Sequence, residues 1–286
     1  MKHRPLVRIC NIQIDPGNNP NLLVDLVFVR NRKKKPIVIF AHGFKSFKDW
    51  GHFNLISDYF ARQGFVFVKF NFSQNGTTYL EPDKITESDL FGRNTIEVEL
   101  NDIKQVINYC TETCLELKEE SDPSELYLIG HSRGGSVTIL YAHEDIRVTK
   151  LVTWAAFNDF GETWGRFYDL ADWEKTGVNF RENRLTGEPL PLYYEVYENY
   201  LSNKSRFNIR TAVEQMRIPM LAIHGVEDEF IPYEESLELK KWNKQIEFSL
   251  HPYASHTFGG IHPYKKNTLP DDSQIVCDET IAFLRG

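Results

Sequence analysis

Short apolar runs alternate with amphipathic segments along the 286-residue chain. Apolar runs of strand length are typical of strands buried on both faces of a sheet, whereas apolar residues that recur every three or four positions are typical of packed helices. Strands are predicted at 5–14, 22–30, 36–43, 65–73, 125–130, 150–157, 219–225 and 245–252. Helices are predicted at 51–63, 94–119, 134–143 and 272–284. This order predicts an α/β fold with a mostly parallel, doubly wound sheet whose first two strands are antiparallel.

One segment interrupts the alternation. Residues 158–218 lie between two predicted sheet strands and are too many for a single crossover helix. We therefore predict a core of residues 1–157 and 219–286 and an inserted helical cap of residues 158–218. Open α/β sheets bind their ligands outside the carboxyl ends of the strands, so we expect the cap to cover that edge.

Aromatic residues are concentrated in and beside the predicted cap, with twelve of them between positions 154 and 200. Phe160 and Trp164 are spaced to share one helical face, which predicts an aromatic-lined substrate pocket. The same residues would also serve to pack a small cap on the sheet, and the sequence leaves both interpretations open. Tyr79 is a further pocket candidate because it lies in the long polar loop 74–93, and long loops often border active sites.

Two cysteines form a C-x-x-x-C pattern that resembles a metal or redox motif. Cys110 and Cys114 lie on the apolar face of the predicted helix 94–119, where residues step by three and four. We therefore interpret both cysteines as core packing.

Charge and composition narrow the possible partners. The chain carries 33 Lys and Arg against 40 Asp and Glu, a net charge of −7, which argues against a nucleic acid or an anionic membrane as partner. The N-terminal stretch lacks the apolar segment of a secretion signal, and no apolar run approaches the ~18 residues of a spanning helix. We therefore expect a cytoplasmic protein, a monomer or a homodimer, that acts on a small molecule. Cysteines and histidines at zinc-ligand spacing do not occur, so we expect no metal and no cofactor.

The stretch G-H-S-R-G at 130–134 matches the pattern G-x-S-x-G. A predicted strand precedes it and a predicted helix follows at once, which is the context of a nucleophile elbow. In such a turn the serine backbone is strained, and neighbouring chains approach so closely that only small side chains fit. Ser132 is therefore the candidate nucleophile, with Gly130, Gly134 and Gly135 at the crowded positions.

A serine hydroxyl needs a histidine base, and the histidine needs an orienting carboxylate. On a sheet of this kind the acid and the base follow the serine in that order, on loops after later strands. Asp228 lies just beyond the predicted strand 219–225, and Glu227 and Glu229 are its rivals. His256 lies in a loop of small residues after the last predicted strand and is the candidate base.

Attack of a serine on a carbonyl group builds a negatively charged oxygen, which two backbone N–H groups stabilise. One donor is expected from Arg133, the residue after the nucleophile. The other is expected from the loop that follows the strand 36–43, where Gly43 allows a sharp turn and leaves the N–H group of Phe44 available.

Four motifs together resemble the α/β-hydrolase superfamily: FAHGF at 40–44, IGHSRGG at 129–135, IHGVED at 223–228 and ASHTF at 254–258. Within it, the H-G-F loop and the G-H-S-x-G-G elbow are similar to serine esterases of the feruloyl/cinnamoyl-esterase and dienelactone-hydrolase-like groups. The resemblance implies Ser132, Asp228 and His256 as the triad, with Phe44 and Arg133 as oxyanion donors. Dienelactone hydrolases use a cysteine nucleophile, so their substrate does not carry over to this serine.

The side chain of Arg133 departs from the Gln or Met of related esterases, and two roles stay open for it: to bind an anionic substrate or to cover the elbow. The expected function is that of a serine carboxylester hydrolase for small, aromatic or apolar acyl groups. The alternatives are a thioesterase, a C–C hydrolase or a small peptidase on the same triad, or a non-catalytic binding protein with this fold.

Overall fold

The computed structural model describes residues 5–15, 17–18, 21–183 and 186–286. Its strands are β1 (Leu6–Gln13), β2 (Leu23–Val29), β3 (Lys35–Ala41), β4 (Val66–Asn71), β5 (Ser121–His131), β6 (Val148–Trp154), β7 (Val178–Glu182), β8 (Pro189–Tyr193), β9 (Met220–Gly225) and β10 (Glu247–His251). Its α-helices are α1 (Phe53–Arg62), α2 (Ser88–Gly92), α3 (Ile96–Asn108), α4 (Arg133–Glu144), α5 (Phe160–Phe167), α6 (Leu170–Thr176), α7 (Glu195–Ser202), α8 (Ile209–Gln215), α9 (Tyr233–Trp242) and α10 (Asp271–Arg285). Within the described ranges, no helix has the length and apolar character needed to cross a lipid bilayer.

Eight strands form one sheet in the order β1-β2-β4-β3-β5-β6-β9-β10. The pairs β1–β2 and β2–β4 are antiparallel, and every other neighbouring pair is parallel. The predicted α/β architecture is therefore confirmed. The parallel strands end together at one edge, and the four motifs found in the sequence lie at the ends of β3, β5, β9 and β10 and in the loops that follow them.

Side chains of the central strands alternate between two buried layers. On β3, Ile37 and Ile39 belong to the core that also contains α3 and α4, whereas Val38 and Phe40 belong to the core under α1 and α10. A strand exposes successive side chains to opposite faces, so a strand covered by helices on both faces must be apolar throughout. This explains the short, unbroken apolar runs in the sequence.

The helix predicted at 94–119 is shorter than expected. α3 ends at Asn108, and the chain continues as a π-helical turn (Tyr109–Thr113) and a 3₁₀ turn (Leu115–Leu117). Cys110 and Cys114 are buried with free thiols, as the packing interpretation expects.

The segment between β6 and β9 is not purely helical, which corrects the predicted helical cap. It holds α5, α6, α7 and α8 together with β7 and β8, which pair antiparallel with each other outside the main sheet. α8 contacts α4 and α9 of the core layer. We propose that residues before α8 form the cap and that α8 is the crossover helix that leads back to the sheet.

Candidate active site

Ser132 lies at the turn between β5, which ends at His131, and α4, which begins at Arg133. Its backbone angles are φ 54° and ψ −125°, which L-residues rarely adopt. Such a conformation costs on the order of 1–3 kcal/mol and persists only where surrounding contacts enforce it. Here the Ser132 N–H group donates to the carbonyl oxygen of Trp154 at 2.8 Å, which ties the turn to the end of β6.

Close backbone approach explains the glycines around this turn. A Cβ atom on Gly130 would lie 2.5 Å from the carbonyl oxygen of Gly134, and one on Gly134 would lie 2.4 Å from the carbonyl oxygens of both Ala41 and His42. Non-bonded carbon and oxygen atoms do not come so close without displacing the backbone. Glycine at these positions therefore lets α4 begin directly against the ends of β3 and β5.

Asp228 and His256 are in direct contact. Nδ1 of His256 lies 2.7 Å from Oδ2 of Asp228, whose side chain is fully buried. The other oxygen of Asp228 accepts hydrogen bonds from the N–H groups of Phe230 (2.9 Å) and Ile231 (2.8 Å). Burial alone would raise the pKa of the Asp228 carboxyl group, but hydrogen bonds from His224 and His256 outweigh it and hold that pKa well below its usual range.

The two rival acids take other positions. Glu227 is exposed, and its N–H group donates to the carbonyl oxygen of Ala254. Glu229 accepts a hydrogen bond from the backbone N–H of His256 at 3.3 Å and lines the cavity described below. Neither carboxylate contacts the imidazole ring as Asp228 does.

Ser132 and His256 line the same cavity. Across the described part of the chain, no hydrogen bond joins their side chains. Catalytic hydrogen bonds are often long in unliganded enzymes and shorten when substrate binds, so this geometry remains compatible with proton transfer.

The proposed oxyanion donors lie on the same cavity wall. Arg133 is the first residue of α4, so its N–H group has no partner within the helix. The N–H group of Phe44 has no hydrogen-bond acceptor among the residues that the structure describes. The Phe44 side chain points partly to solvent and lies against the ring of Phe91 at 5.2 Å.

His42 supports the turn that carries Phe44. Its Nδ1 lies 2.9 Å from the carbonyl oxygen of Gly43, while Nε2 faces the N–H of Phe72 (3.4 Å) and the amide of Asn75 (3.3 Å). Complete burial lowers the pKa of His42 to about 4, so the ring is neutral near pH 7. A neutral ring that donates through Nδ1 and accepts through Nε2 satisfies all of these contacts.

A buried cluster of charges holds the next part of this loop. Lys48 and Lys69 both bind Asp25, with Nζ–Oδ2 distances of 2.9 and 2.6 Å, and both also contact Asp49. The N–H group of Lys48 donates to the amide oxygen of Asn71 at 2.7 Å. These contacts fix the loop that follows β3 to β2 and β4.

Arg133 contributes more than its backbone. Its side chain is buried, and Nε lies 2.9 and 3.0 Å from the two carboxylate oxygens of Glu99 on α3. The guanidinium group also lies over the rings of Phe160 (5.6 Å) and Trp164 (5.7 Å). Of the two roles left open by the sequence, the geometry favours a side chain that covers the elbow with its charge already paired.

Two histidines next to the motif residues have roles that the sequence did not reveal. Nε2 of His224 lies 3.0 Å from Oδ2 of Asp228, so two imidazoles share one carboxylate oxygen. Nε2 of His131 lies 2.9 Å from the carbonyl oxygen of His256, and burial lowers the pKa of His131 to about 3. The contact of His131 joins segments far apart in the chain, which no local pattern records, whereas His224 and Asp228 are only four residues apart.

The cavity has a volume of about 600 Å³, a size typical of sites for small organic ligands. Phe160 and Trp164 line it, together with Phe157 and Tyr168. Tyr79 does not line the cavity, and its side chain is half exposed; the loop 74–93 contributes Ile85 instead. Within the described ranges, no cluster of three or more His, Cys, Asp or Glu residues is arranged to hold a metal ion.

Comparisons with solved structures identify the fold. Est1E from Butyrivibrio proteoclasticus, solved with ferulic acid bound, superimposes with a TM-score of 0.66 at 19% identity, over 98% of this chain and 94% of that one. The esterase domain of a Rhodothermus marinus protein gives 0.62 at 20% identity over 98% of both chains. The chain has the α/β-hydrolase fold.

A further solved structure shares this fold at low sequence identity. DcsB, solved with a substrate analogue, superimposes with a TM-score of 0.69 at 16% identity, over 98% of this chain and 99% of that one. No protein-family model matches the sequence. No curated protein matches it either. At these identities the likeness establishes the α/β-hydrolase architecture, and the chemistry has to be argued from the site itself.

Proposed function

We propose that this α/β-hydrolase is a serine hydrolase that cleaves carboxylic esters of small, aromatic or apolar acyl groups. The observation that carries the proposal is the 2.7 Å contact between Nδ1 of His256 and Oδ2 of Asp228, with His256 and the strained Ser132 on one cavity. A carboxylate that binds one imidazole nitrogen fixes the tautomer in which the other nitrogen accepts a proton. A serine beside such an imidazole becomes a nucleophile.

In the first half of the reaction, Oγ of Ser132 attacks the carbonyl carbon of the ester while Nε2 of His256 takes its proton. The N–H groups of Phe44 and Arg133 stabilise the oxyanion, and Asp228 stabilises the imidazolium. Collapse of the tetrahedral intermediate releases the alcohol, which receives its proton from His256. In the second half, His256 activates a water molecule that attacks the acyl-enzyme, and the carboxylic acid leaves.

The cavity walls support aromatic or apolar acyl groups. Phe157, Phe160 and Trp164 line it, and aromatic walls suit flat or apolar ligands. Est1E, one of the structural neighbours, was solved with ferulic acid, an aromatic acid, bound to it. A thioester, an amide or an activated C–C bond would meet the same triad, so a substrate panel is needed to rank the bonds cleaved.

The direct test is hydrolysis of 4-nitrophenyl acetate, butyrate and cinnamate, with 4-nitrophenyl thioesters and anilides in the same panel. Ser132→Ala is expected to lose at least about 10³-fold in kcat, because the nucleophile is gone while binding remains. Ser202→Ala, at the exposed end of α7, is the matched control and retains activity. Ester turnover that survives in Ser132→Ala would rule out Ser132 as the nucleophile.

A further inference from the structure

Two arginines line the cavity, and within the described part of the chain only one of them forms an ion pair with a carboxylate of the protein. Arg133 is buried, and its Nε contacts both oxygens of Glu99. Arg181, on β7, has no carboxylate within ion-pair distance among the described residues. Within the described residues, neither of its acidic neighbours in the hairpin, Glu182 and Glu188, forms an ion pair with Arg181. One arginine on the wall is thus neutralised internally and the other is not.

Arg181 is nevertheless held in place. Its guanidinium lies 4.3 Å from the ring centroid of Tyr168 and 5.5 Å from that of Phe167, and Nη2 donates to the carbonyl oxygen of Phe167 at 2.6 Å. A guanidinium group has five N–H donors. Stacking on two aromatic rings fixes its plane while leaving donors available, so little conformational entropy is lost when an anion binds.

The surroundings of Arg181 define what would bind it. On the neighbouring strand, Leu190 pairs with Arg181 and also lines the cavity. Tyr168 and Phe167 line the cavity as well, so the unpaired cation sits in a mostly apolar wall. Hydrogen bonds between a guanidinium group and a carboxylate are about twice as strong as those between neutral groups. A planar carboxylate matches the fork of the guanidinium group.

We propose that Arg181 binds a carboxylate of the substrate, so that the preferred ester carries an aromatic or apolar body with a carboxylate group away from the scissile bond. This inference rests on the proposed ester hydrolysis and adds the charge of the substrate to it. It assigns anion binding to Arg181, a residue of the cap that no sequence motif marked. Arg133 is not assigned this role, because its charge is already paired with Glu99.

The test uses matched pairs of aryl esters in which a free carboxylate is compared with its methyl ester. Mono-4-nitrophenyl terephthalate is compared with its methyl ester, and 4-nitrophenyl 4-carboxycinnamate with its methyl ester. The two pairs place the carboxylate at two different distances from the scissile bond. A third pair, 4-carboxyphenyl acetate and its methyl ester, places the carboxylate on the alcohol side. For each pair the ratio of kcat/KM values, charged over neutral, is measured for the wild type and for Arg181→Met, Arg181→Lys and Arg210→Met.

The wild type is expected to prefer the charged member of at least one pair. In Arg181→Met the ratio falls by about 10- to 100-fold, the loss typical of one hydrogen-bonded ionic contact, mainly through KM. Arg181→Lys keeps part of the ratio because it keeps the charge. Arg210→Met removes an equal charge from the exposed face of α8, where Arg210 pairs with Glu214. It is expected to leave the ratio of charged to neutral kcat/KM as in the wild type.

Three outcomes would overturn the inference: no pair with a preference for the charged member, a ratio in Arg181→Met equal to that of the wild type, or the same fall in Arg210→Met. Each leaves turnover of the neutral esters intact, so the proposed hydrolysis would stand. Absence of turnover for every ester in the wild type would instead reject the proposed function and this inference with it.

Discussion

The crowding around Gly134 makes a quantitative prediction. A Cβ atom at this position would lie 2.4 Å from the carbonyl oxygens of Ala41 and His42, about 1 Å closer than ordinary carbon–oxygen contacts allow. Both oxygens belong to backbone, so the β3 end and the α4 start would have to separate. Overpacking of this kind destabilises a protein by about 1–3 kcal/mol. Because the obstructing atoms belong to the backbone, we expect Gly134→Ala to cost about 3 kcal/mol, even though alanine has a helix propensity ~1 kcal/mol better than that of glycine.

Activity is expected to fall further than stability. The displaced segment continues into Gly43 and Phe44, so the proposed oxyanion donor, the N–H group of Phe44, moves with it. Loss of one such donor lowers kcat by about 10²–10³ in a well-studied protease. The assay combines equilibrium unfolding in urea with kcat on 4-nitrophenyl acetate, measured well below the unfolding midpoint.

Gly165 provides the matched control. It also lies inside a helix, but a Cβ atom there would meet only Cδ1 of Leu170 at 3.7 Å. Gly165→Ala is therefore expected to stabilise the fold by about 0.5–1 kcal/mol. The reasoning is refuted if Gly134→Ala retains wild-type stability and kcat, or if both substitutions change the free energy of unfolding by the same amount.

Four further predictions test the proposed triad and its surroundings. Asp228→Asn is expected to lower kcat by about 10³–10⁴, because the imidazole of His256 loses its preferred tautomer; unchanged kcat would exclude Asp228 as the triad acid. The pKa of the Asp228 carboxyl group lies well below its usual range, so that group stays charged throughout the pH range of the assay. A plot of log(kcat/KM) against pH should therefore fall with a slope of one at acidic pH. A slope of two between pH 4 and 6 would contradict this. Glu99→Gln leaves the buried guanidinium of Arg133 without a counter-charge and should destabilise the protein by about 3–5 kcal/mol in urea unfolding, whereas a loss below 1 kcal/mol would mean that solvent reaches this pair. His224→Leu removes a donor from Asp228 and should lower the stability by about 1–3 kcal/mol together with kcat; wild-type values for both would show that this contact is dispensable.

The core of the fold could be predicted because its signals are local. Apolar runs of strand length, helical periodicity and glycines at the elbow each reflect contacts that short stretches record. The β7–β8 hairpin was missed because β8 contains Pro189 and Pro191, and proline argues against a strand except at an edge. α9 was missed because its buried face includes Glu235 and Ser236, so it shows little apolar periodicity.

The candidate site could be predicted only as far as its motifs reach. Ser132, Asp228 and His256 were placed by chain order and by the strands before them. The pairing of Arg133 with Glu99 joins α4 to α3, and the contact of His131 with His256 joins segments more than a hundred residues apart. No spacing rule encodes such contacts, because they depend on how the helices and loops pack on the finished sheet.

The central claim is that Ser132 becomes covalently acylated. Incubation with a fluorophosphonate, followed by intact-protein mass spectrometry and peptide mapping, measures this directly. One adduct per chain on Ser132 is expected in the wild type, and none in Ser132→Ala or in protein unfolded with urea. Folded wild-type protein that acquires no adduct, or an adduct on another residue, would contradict the account.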